Sequence, residues 1–297
     1  MYKNNKPIIL NCFSRGGSNI LWNLFLSHPD VCHPLEETLQ IFNISLKSPR
    51  IAGYKIALMT KQNLFNQWNF NNRKSVNKKS ATYIDILLHK KKMGNLLNDE
   101  MKYKNEKDIY TSNEIENTRL VIKNNNGLIF CSELFYDIYP SATFIAIIRN
   151  PLALYESHKR RKTPVSISID SFASFYRRMI QKIKNDQMCF PNYHIIKFED
   201  ILKKPISSVE KLYKWTNLDF SNIEKIRLKA KPSMRRSGKH TTPFTKNKHY
   251  WFSFSELEDV MNKDVNKNQI TRLSFKEISS LSKALDPIML EYNYSIE

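Results

Sequence analysis

The segment Pro7-Ile8-Ile9-Leu10-Asn11-Cys12-Phe13-Ser14-Arg15-Gly16-Gly17-Ser18-Asn19-Ile20-Leu21 decides the fold that this sequence predicts. Apolar residues run up to Ser14, two glycines follow, and apolar residues then recur at helical spacing. The pattern predicts a strand, a tight loop and a helix. Glycine lets a backbone approach a ligand closely, and the free N–H groups of a first helical turn favour an anion. Phosphate binding and an ordinary tight turn are both open for this loop.

The loop is not a Walker A motif, because no Lys-Ser or Lys-Thr pair follows its glycines. In nucleotide triphosphatases that Lys contacts the β- and γ-phosphates and the hydroxyl contacts magnesium. The missing pair counts against a P-loop kinase. Arg15 instead supplies a cation that stays charged near neutral pH.

Length and charge set further limits. A chain of 297 residues can bury a full core, and with no clear linker we expect one domain over residues 1–297. Hydrophobic residues make up 41% and aromatic residues 12%, which excludes a disordered chain. The formal net charge of +19 predicts an anionic partner.

The cysteines and histidines show no metal-ligand spacing, so no metal site is predicted. Buried, reduced thiols are expected for the four cysteines, which are Cys12, Cys32, Cys131 and Cys189. No signal region and no run of about 18 apolar residues occurs, so we expect a cytoplasmic protein without a transmembrane segment.

Strand and helix patterns alternate along the chain. Strands are predicted at 51–58, which contains Lys55, and at 119–122, 144–148 and 194–198. The wholly apolar run 144–148 suits a parallel strand that is buried on both faces. We therefore predict an α/β fold with a central parallel sheet flanked by helices, in which a ligand site is expected at the carboxyl ends of the strands.

The region from about 63 to 118 differs in composition from the rest of the chain: it is rich in Asn and Lys and has few apolar runs. It is predicted to be an insertion that covers one side of the core. Its lysine runs, Lys78-Lys79 and Lys90-Lys91-Lys92, fit either a solvated face or a lid that binds the acceptor.

Two further loops suit phosphate. Arg149 ends the strand 144–148, and Ser157 lies two helical turns later, so the pair can hold one phosphate. The alternative is an Arg that caps a carbonyl beside an exposed Ser. A basic loop also suits a phosphate clamp or a merely flexible segment, and it consists of Arg235, Arg236, Ser237, Gly238 and Lys239.

Taken together, these motifs resemble those of sulfotransferases that use 3′-phosphoadenosine 5′-phosphosulfate (PAPS). Ser14–Asn19 is similar to the family's 5′-phosphosulfate motif, and Ile147–Pro151 with Ser157 is similar to its 3′-phosphate motif. The segments Pro140–Phe144 and Phe198–Leu202 also resemble the family. The resemblance covers most of the chain and implies a P-loop-like sulfotransferase fold.

The resemblance implies roles for the donor-binding residues. The loop that cradles the 5′-phosphosulfate would be Arg15, Gly16, Gly17, Ser18 and Asn19, with Arg15 facing the bridging oxygen. Arg149 and Ser157 would hold the 3′-phosphate, and the loop from Arg235 to Lys239 would close over the nucleotide. Phe198 would lie near the adenine, with Trp22 as a second aromatic. PAP, adenosine 3′,5′-diphosphate, would be the product.

The resemblance also bears on the catalytic base. Cytosolic sulfotransferases carry a His at the place of Asn125, so a His base is not expected here. His28-Pro29-Asp30 followed by Glu36-Glu37-Thr38 resembles the protein-tyrosine sulfotransferases, in which a Glu is the base. Glu37 is the implied base, and Glu36 is the alternative because the interval holds one extra residue. Lys123 and Lys55 are candidates for steadying the sulfuryl group.

The sequence thus predicts an enzyme that moves the sulfuryl group of PAPS to a hydroxyl or amine by in-line displacement. The donor is a small nucleotide, and the charge favours a glycan or other anionic acceptor rather than nucleic acid. A P-loop-type nucleotide kinase and a non-catalytic, basic polyanion-binding module are the alternatives.

Overall fold

A parallel sheet of five strands forms the centre of the molecule. The computed structural model describes residues 6–38, 78–97, 103–106, 108–163, 166, 168–230, 244–245, 248–261 and 263–295. The strands are β1 (Ile8–Cys12), β2 (Val31–Cys32), β3 (Arg119–Asn125), β4 (Thr143–Ile148) and β5 (Tyr193–Lys197). Their order is β2-β3-β1-β4-β5, and every pair is parallel. The predicted fold class is confirmed.

Strand β1 lies in the middle of this sheet. Ile8 is in register with Val121 of β3 and Thr143 of β4. Every residue of β1 and of β4 is buried, as expected for parallel strands covered on both faces. Because the strands are parallel, the loops that follow β1, β3 and β4 meet at one edge of the sheet.

Helices cover both faces of the sheet. Alternate residues of β1 enter two different core clusters, Ile9 on one face and Ile8 and Leu10 on the other. The helices are α1 (Ser18–Leu26), α2 (Lys78–Met93), α3 (Ser112–Asn117), α4 (Ser132–Ile138), α5 (Pro151–Lys159), α6 (Ile169–Cys189), α7 (Phe198–Lys203), α8 (Pro205–Thr216), α9 (Phe254–Val260), α10 (Lys267–Ile270) and α11 (Phe275–Glu291). Short 3₁₀ helices span Gly94–Leu97, Asn126–Cys131 and Phe220–Asn222. None of the helices described is long and apolar enough to cross a bilayer.

A second, two-stranded sheet was not anticipated. Strand β6 (Lys225–Lys229) pairs antiparallel with β7 (His249–Ser253). Ile226 and Leu228 are buried in the same core cluster as Leu21 and Leu24 of α1. The alternation of Lys, Ile, Arg, Leu and Lys in β6 has the period of a half-buried strand and was the available signal.

The expected insertion is described only in part. Residues 39–77 lie outside the described chain, and with them the predicted strand 51–58 and its Lys55. The lysine runs of α2 are not all solvated: Lys92 is 1% exposed, and its Nζ donates to the carbonyl of Thr118 at 2.8 Å. Lys92 is therefore a structural residue that ties α2 to the end of α3.

The cysteine prediction is correct at three positions and wrong at one. Cys12, Cys32 and Cys131 are buried free thiols, whereas Cys189 is exposed. Cys189 is the last residue of α6, where the helix leaves the core. Position at a helix end, rather than residue type, decides its exposure.

Candidate functional site

A cavity lies at the edge of the sheet where the loops after β1 and β4 meet. Parallel strands of an open α/β sheet place ligand sites at this edge. The residues that line the cavity are Arg15, Gly17, Ser18, Asn19, Ile20, Arg149, Ser157, Phe198, Val265 and Gln269. Three motifs that are far apart in the sequence thus contribute to one cavity.

The loop after β1 has an unusual backbone that other segments hold in place. Arg15 has φ 68° and Gly17 has φ 100°, both in the left-handed region. The N–H of Ser14 donates to Asn126 Oδ1 at 2.9 Å, and the Ser14 carbonyl lies 2.9 Å from His158 Nε2. Left-handed backbone is costly for Arg, so these contacts help to fix the loop's conformation.

His158 is neutral in this arrangement. Burial lowers the pKa of His158 to about 4, and Arg15 and Arg149 also disfavour its charged form. A neutral ring that bonds a carbonyl through Nε2 must carry its proton there. His158 therefore donates to Ser14, while its Nδ1 accepts from the Thr163 hydroxyl at 2.7 Å.

Gly17 packs directly under an aromatic ring. A Cβ at this position would overlap Cδ2 of Phe198 and lie 2.9 Å from Cδ1 of Ile147. Gly17 is also the N-cap of α1 and provides no side-chain cap for the first turn. The first-turn N–H groups of α1 lie at the cavity, where they favour an anion.

Arg149 and Ser157 both line the cavity, and Ser157 is buried rather than exposed. The Arg149 guanidinium donates from Nη1 to the Arg15 carbonyl at 2.6 Å, and its Cζ lies 4.5 Å from the centre of the Phe198 ring. Arg15 Nε donates to Ser157 Oγ at 3.2 Å. Burial lowers the pKa of Arg149 to about 10, so this group keeps its positive charge at neutral pH. The arrangement can hold a phosphate with charge-assisted hydrogen bonds.

Glu37 lies beside a buried lysine. Its Oε1 is 2.7 Å from Nζ of Lys123, and Asn125 Nδ2 donates to Oε2. The Lys123 side chain is 1% exposed and the Glu37 side chain 33%, so the carboxylate is the solvent-facing partner. Burial lowers the pKa of Lys123, and the neighbouring carboxylate of Glu37 opposes that shift.

Lys123 links this pair to the cavity. Its Nζ also donates to Asn19 Oδ1 at 2.9 Å, and Asn19 lines the cavity. The same Nζ lies 4.1 Å from the centre of the Trp22 ring, whose edge meets His33. Trp22 therefore contacts Lys123 and His33, next to the carboxylate of Glu37.

Glu36 points elsewhere. Its Oε2 pairs with Lys91 of α2 at 3.0 Å, and both side chains are about two-fifths exposed. An exposed pair of this kind contributes little stability. The two adjacent carboxylates are thus separated by their partners, and only Glu37 contacts a residue bonded to the cavity.

Several residues that line or adjoin the cavity were not predicted from the sequence. Val265 and Gln269 line the cavity, and Asn266 lies beside them. The segment carries no glycine pair and follows no apolar strand, so no motif marks it. The predicted clamp Arg235–Lys239 lies outside the described residues. Within the described ranges, no group of three or more metal-ligating side chains occurs.

Comparison with known proteins identifies the family. Residues 7–222 match the model of a sulfotransferase family, so the chain belongs to that family. The chain is similar to the sulfotransferase domain from the curacin biosynthetic pathway, with a TM-score of 0.51, 13% identity and coverage of 98% of this chain and 99% of that chain. This likeness shows a sulfotransferase fold. A mouse sulfotransferase solved with PAP matches with a TM-score of 0.46 and 13% identity, over 98% of this chain and 89% of that chain. No curated protein sequence matches.

Proposed function

We propose that this sulfotransferase takes its sulfuryl group from PAPS and uses Glu37 as the base. The observation that carries the proposal is that Arg15, Arg149 and Ser157 line one cavity. Arg15 is more than 130 positions away from Arg149 and Ser157 in the sequence. Two cations and a helix N-terminus around one cavity suit a ligand with two separate anionic groups.

In this proposal the two ends of the nucleotide bind to different walls. The 5′-phosphosulfate lies along the loop from Gly16 to Asn19. Gly17, Ser18 and Asn19 line the cavity, whereas the N–H of Gly16 donates to the Phe13 carbonyl. The 3′-phosphate lies against Arg149 and Ser157. Phe198 supplies an apolar surface for the adenosine, in keeping with its place in the wall of the cavity.

The transfer step needs one base and several cations. Glu37 accepts the proton of the acceptor hydroxyl or amine, and the acceptor atom then forms a bond to sulfur. The bond between sulfur and the bridging oxygen breaks, its electron pair stays on the 5′-phosphate oxygen, and PAP leaves. Arg15 stabilises the charge that grows on that oxygen, and positioning of the acceptor in line supplies much of the rate.

Lys123 has two functions in this mechanism. Its ammonium orients Glu37, and its bond to Asn19 holds the carboxylate close to the donor loop. After proton transfer Glu37 is neutral, and the charge of Lys123 is then available to the transferring sulfuryl group. The acceptor is proposed to be a glycan or another anionic molecule, because the chain carries a net charge of +19.

Ligand-dependent unfolding tests the donor assignment. PAP, ATP and AMP are each added to the protein and the melting temperature is measured. PAP at about 100 times its dissociation constant should stabilise the fold by about 2.7 kcal/mol. We expect the largest shift with PAP, and we expect Arg149→Ala to abolish it.

Arg177→Ala, an exposed Arg of α6, is the matched control and should keep the full shift. A larger shift with ATP than with PAP would favour a kinase, and no shift with any nucleotide would favour a polyanion-binding module. Either result would overturn the proposal.

A further inference from the structure

The C-terminal part of the chain holds Arg149 in one orientation. Nε and Nη2 both donate to Asn266 Oδ1, at 2.9 and 2.7 Å, and Nη2 also donates to Gln269 Oε1 at 2.6 Å. Nη1 donates one bond to the Arg15 carbonyl. The N–H of Nε, both N–H groups of Nη2 and one of Nη1 thus have acceptors in the described chain, four of the five guanidinium N–H groups. The N–H that is left belongs to Nη1, the nitrogen that also contacts the donor loop.

Asn266 contacts a buried carboxylate with its other end. Its Nδ2 donates to Glu199 Oε1 at 2.5 Å, and the same oxygen accepts from the backbone N–H of Asn150 at 2.9 Å. Glu199 Oε2 is buried and has no hydrogen-bond partner among the described residues. The Asn266 amide therefore stands between the carboxylate of Glu199 and the guanidinium of Arg149.

An amide is suited to this place because it accepts at one end and donates at the other. A carboxylate and a guanidinium that are buried side by side usually pair directly through two hydrogen bonds. Such a pair would neutralise Arg149 and leave less charge for an anionic ligand. Burial raises the pKa of Glu199, while the hydrogen bond from Asn150, the positive charge of Arg149 and the hydrogen bond from Asn266 favour its charged form.

We propose that Asn266 is a positioning residue that keeps Glu199 from neutralising Arg149, and that Asn266 and Gln269 together direct the remaining Nη1 N–H toward the cavity. The site would thereby select a nucleotide with a phosphate on the ribose as well as on the 5′ oxygen. This inference rests on the proposed function, in which Arg149 holds the 3′-phosphate. Asn266 lies beyond residues 7–222, the part of the chain that matches the family model.

The test is the substitution Asn266→Asp, which keeps the shape and the acceptor but adds a negative charge. Affinities for PAP and for AMP are measured by calorimetry. The affinity for PAP should fall about tenfold or more, because a charge-assisted bond to phosphate is weakened. AMP has no 3′-phosphate, so its affinity should change less than twofold.

Asn268→Asp is the matched control. Asn268 is exposed on α10, the short helix that begins directly after Asn266, and its substitution makes the same change of charge two positions away. The ratio of PAP to AMP affinity should stay at the wild-type value in this variant. A similar loss in both variants would show a general charge effect and would overturn the inference.

The double variant Glu199→Gln/Asn266→Asp separates positioning from simple structural support. It restores the net charge around Arg149, so it should regain most of the lost PAP affinity. If Asn266 merely supported the fold, a second buried substitution would lower stability and PAP affinity further. Failure of the double variant to recover would overturn the proposal.

The melting temperature without ligand is measured for each variant. If Asn266→Asp does not unfold cooperatively, Gln269→Glu carries the same prediction, since its carboxylate would also neutralise Nη2. A wild-type protein that does not prefer PAP over AMP would overturn the proposed function and this inference with it. A wild-type preference that Asn266→Asp retains would overturn the inference alone.

Discussion

The two sides of the candidate site are built differently. The side where we propose that the donor binds, called the donor side, consists of the cavity and the loop after β1. Bonds between distant segments hold it together: Arg149 donates to the Arg15 carbonyl and His158 to the Ser14 carbonyl. The side where we propose that the acceptor binds, called the acceptor side, consists of Glu36, Glu37, Lys123 and Asn125. Here two adjacent carboxylates diverge, one toward buried Lys123 and one toward exposed Lys91.

The difference concerns what fixes each group. Donor-side groups are held by main-chain and side-chain partners together: Arg149 donates to the Arg15 carbonyl and also to the side chains of Asn266 and Gln269. Acceptor-side carboxylates are held by side-chain partners. Glu36 and Glu37 are adjacent in the chain, yet they pair with different lysines, Lys91 and Lys123. We infer that the donor side tolerates few substitutions, whereas the acceptor side depends on one pair, Glu37 with Lys123.

The largest effect is expected for Glu37→Gln. If Glu37 is the base, as we propose, its loss should reduce sulfuryl transfer by about 10²- to 10⁴-fold while PAP affinity stays the same. Transfer of ³⁵S from labelled PAPS to a panel of hydroxyl and amine acceptors measures the rate. Glu36→Gln is the matched control and should retain at least half of the activity. Equal losses in both variants would show that the acceptor side is not divided as its contacts suggest.

Acidification should weaken both sides. His158 on the donor side and His33, whose ring contacts Trp22 beside Lys123, are buried, and burial lowers their pKa values to about 4 and about 3. The unfolded chain takes up protons below pH 6.5 and the folded chain does not, so stability is complete above pH 6.5 and falls toward pH 4. For His158 the loss is about 3 kcal/mol.

Melting curves between pH 7 and pH 4 check this expectation. His158→Gln keeps a donor for the Ser14 carbonyl but does not titrate. The loss of stability between pH 7 and pH 4 should therefore be smaller in this variant by about the contribution of His158. His194→Gln is the control, because His194 is only partly buried and should change the slope less. An unchanged slope in His158→Gln would contradict the neutral donor role.

Gly17→Ala tests how tightly the donor side is packed. The new Cβ would overlap Phe198 in a left-handed backbone, so the free energy of unfolding should fall by about 1–3 kcal/mol. Chemical denaturation measures this change, and PAP affinity should fall with it. Gly127→Ala is matched, since a Cβ there meets nothing within 4 Å and should cost little. Equal stability of the two variants would show that the loop is free to move.

The smallest effect is expected for Asn19→Ala, at the junction of the two sides. One hydrogen bond to Lys123 is lost, so the transfer rate should fall about threefold to tenfold. The labelled-PAPS assay measures it, with Asn113→Ala of the exposed face of α3 as the control. A loss as large as that of Glu37→Gln would mean that the two sides act as one unit.

Much of the donor side was predictable because its signals are local. An apolar run, two glycines and a helical pattern define the β1 loop, and the apolar strand before Arg149 places that residue at the same edge of the sheet. Parallel pairing then brings Arg15 and Arg149 together. The spacing of Ser157 on α5 follows from the helix that Pro151 begins.

The rest depended on contacts that no local pattern records. Asn266 reaches Arg149 across 117 positions, and its segment looks like an ordinary polar turn. The β6–β7 pair joins strands on either side of residues 230–248, so it could not be recognised as a tight hairpin. The preference for Glu37 over Glu36 came from the resemblance alone. The contact between Glu37 and Lys123 could not be predicted, because the two residues are far apart in the sequence.

Trp22 gives the site an optical property. Its indole ring lies 4.1 Å from the Lys123 ammonium, at the point where donor and acceptor sides meet. Indole emission responds to a nearby charge, so a molecule that draws Lys123 away from the ring should change the fluorescence of Trp22. Candidate acceptors can therefore be screened by intrinsic tryptophan fluorescence, with Trp22→Phe as the control that should not respond.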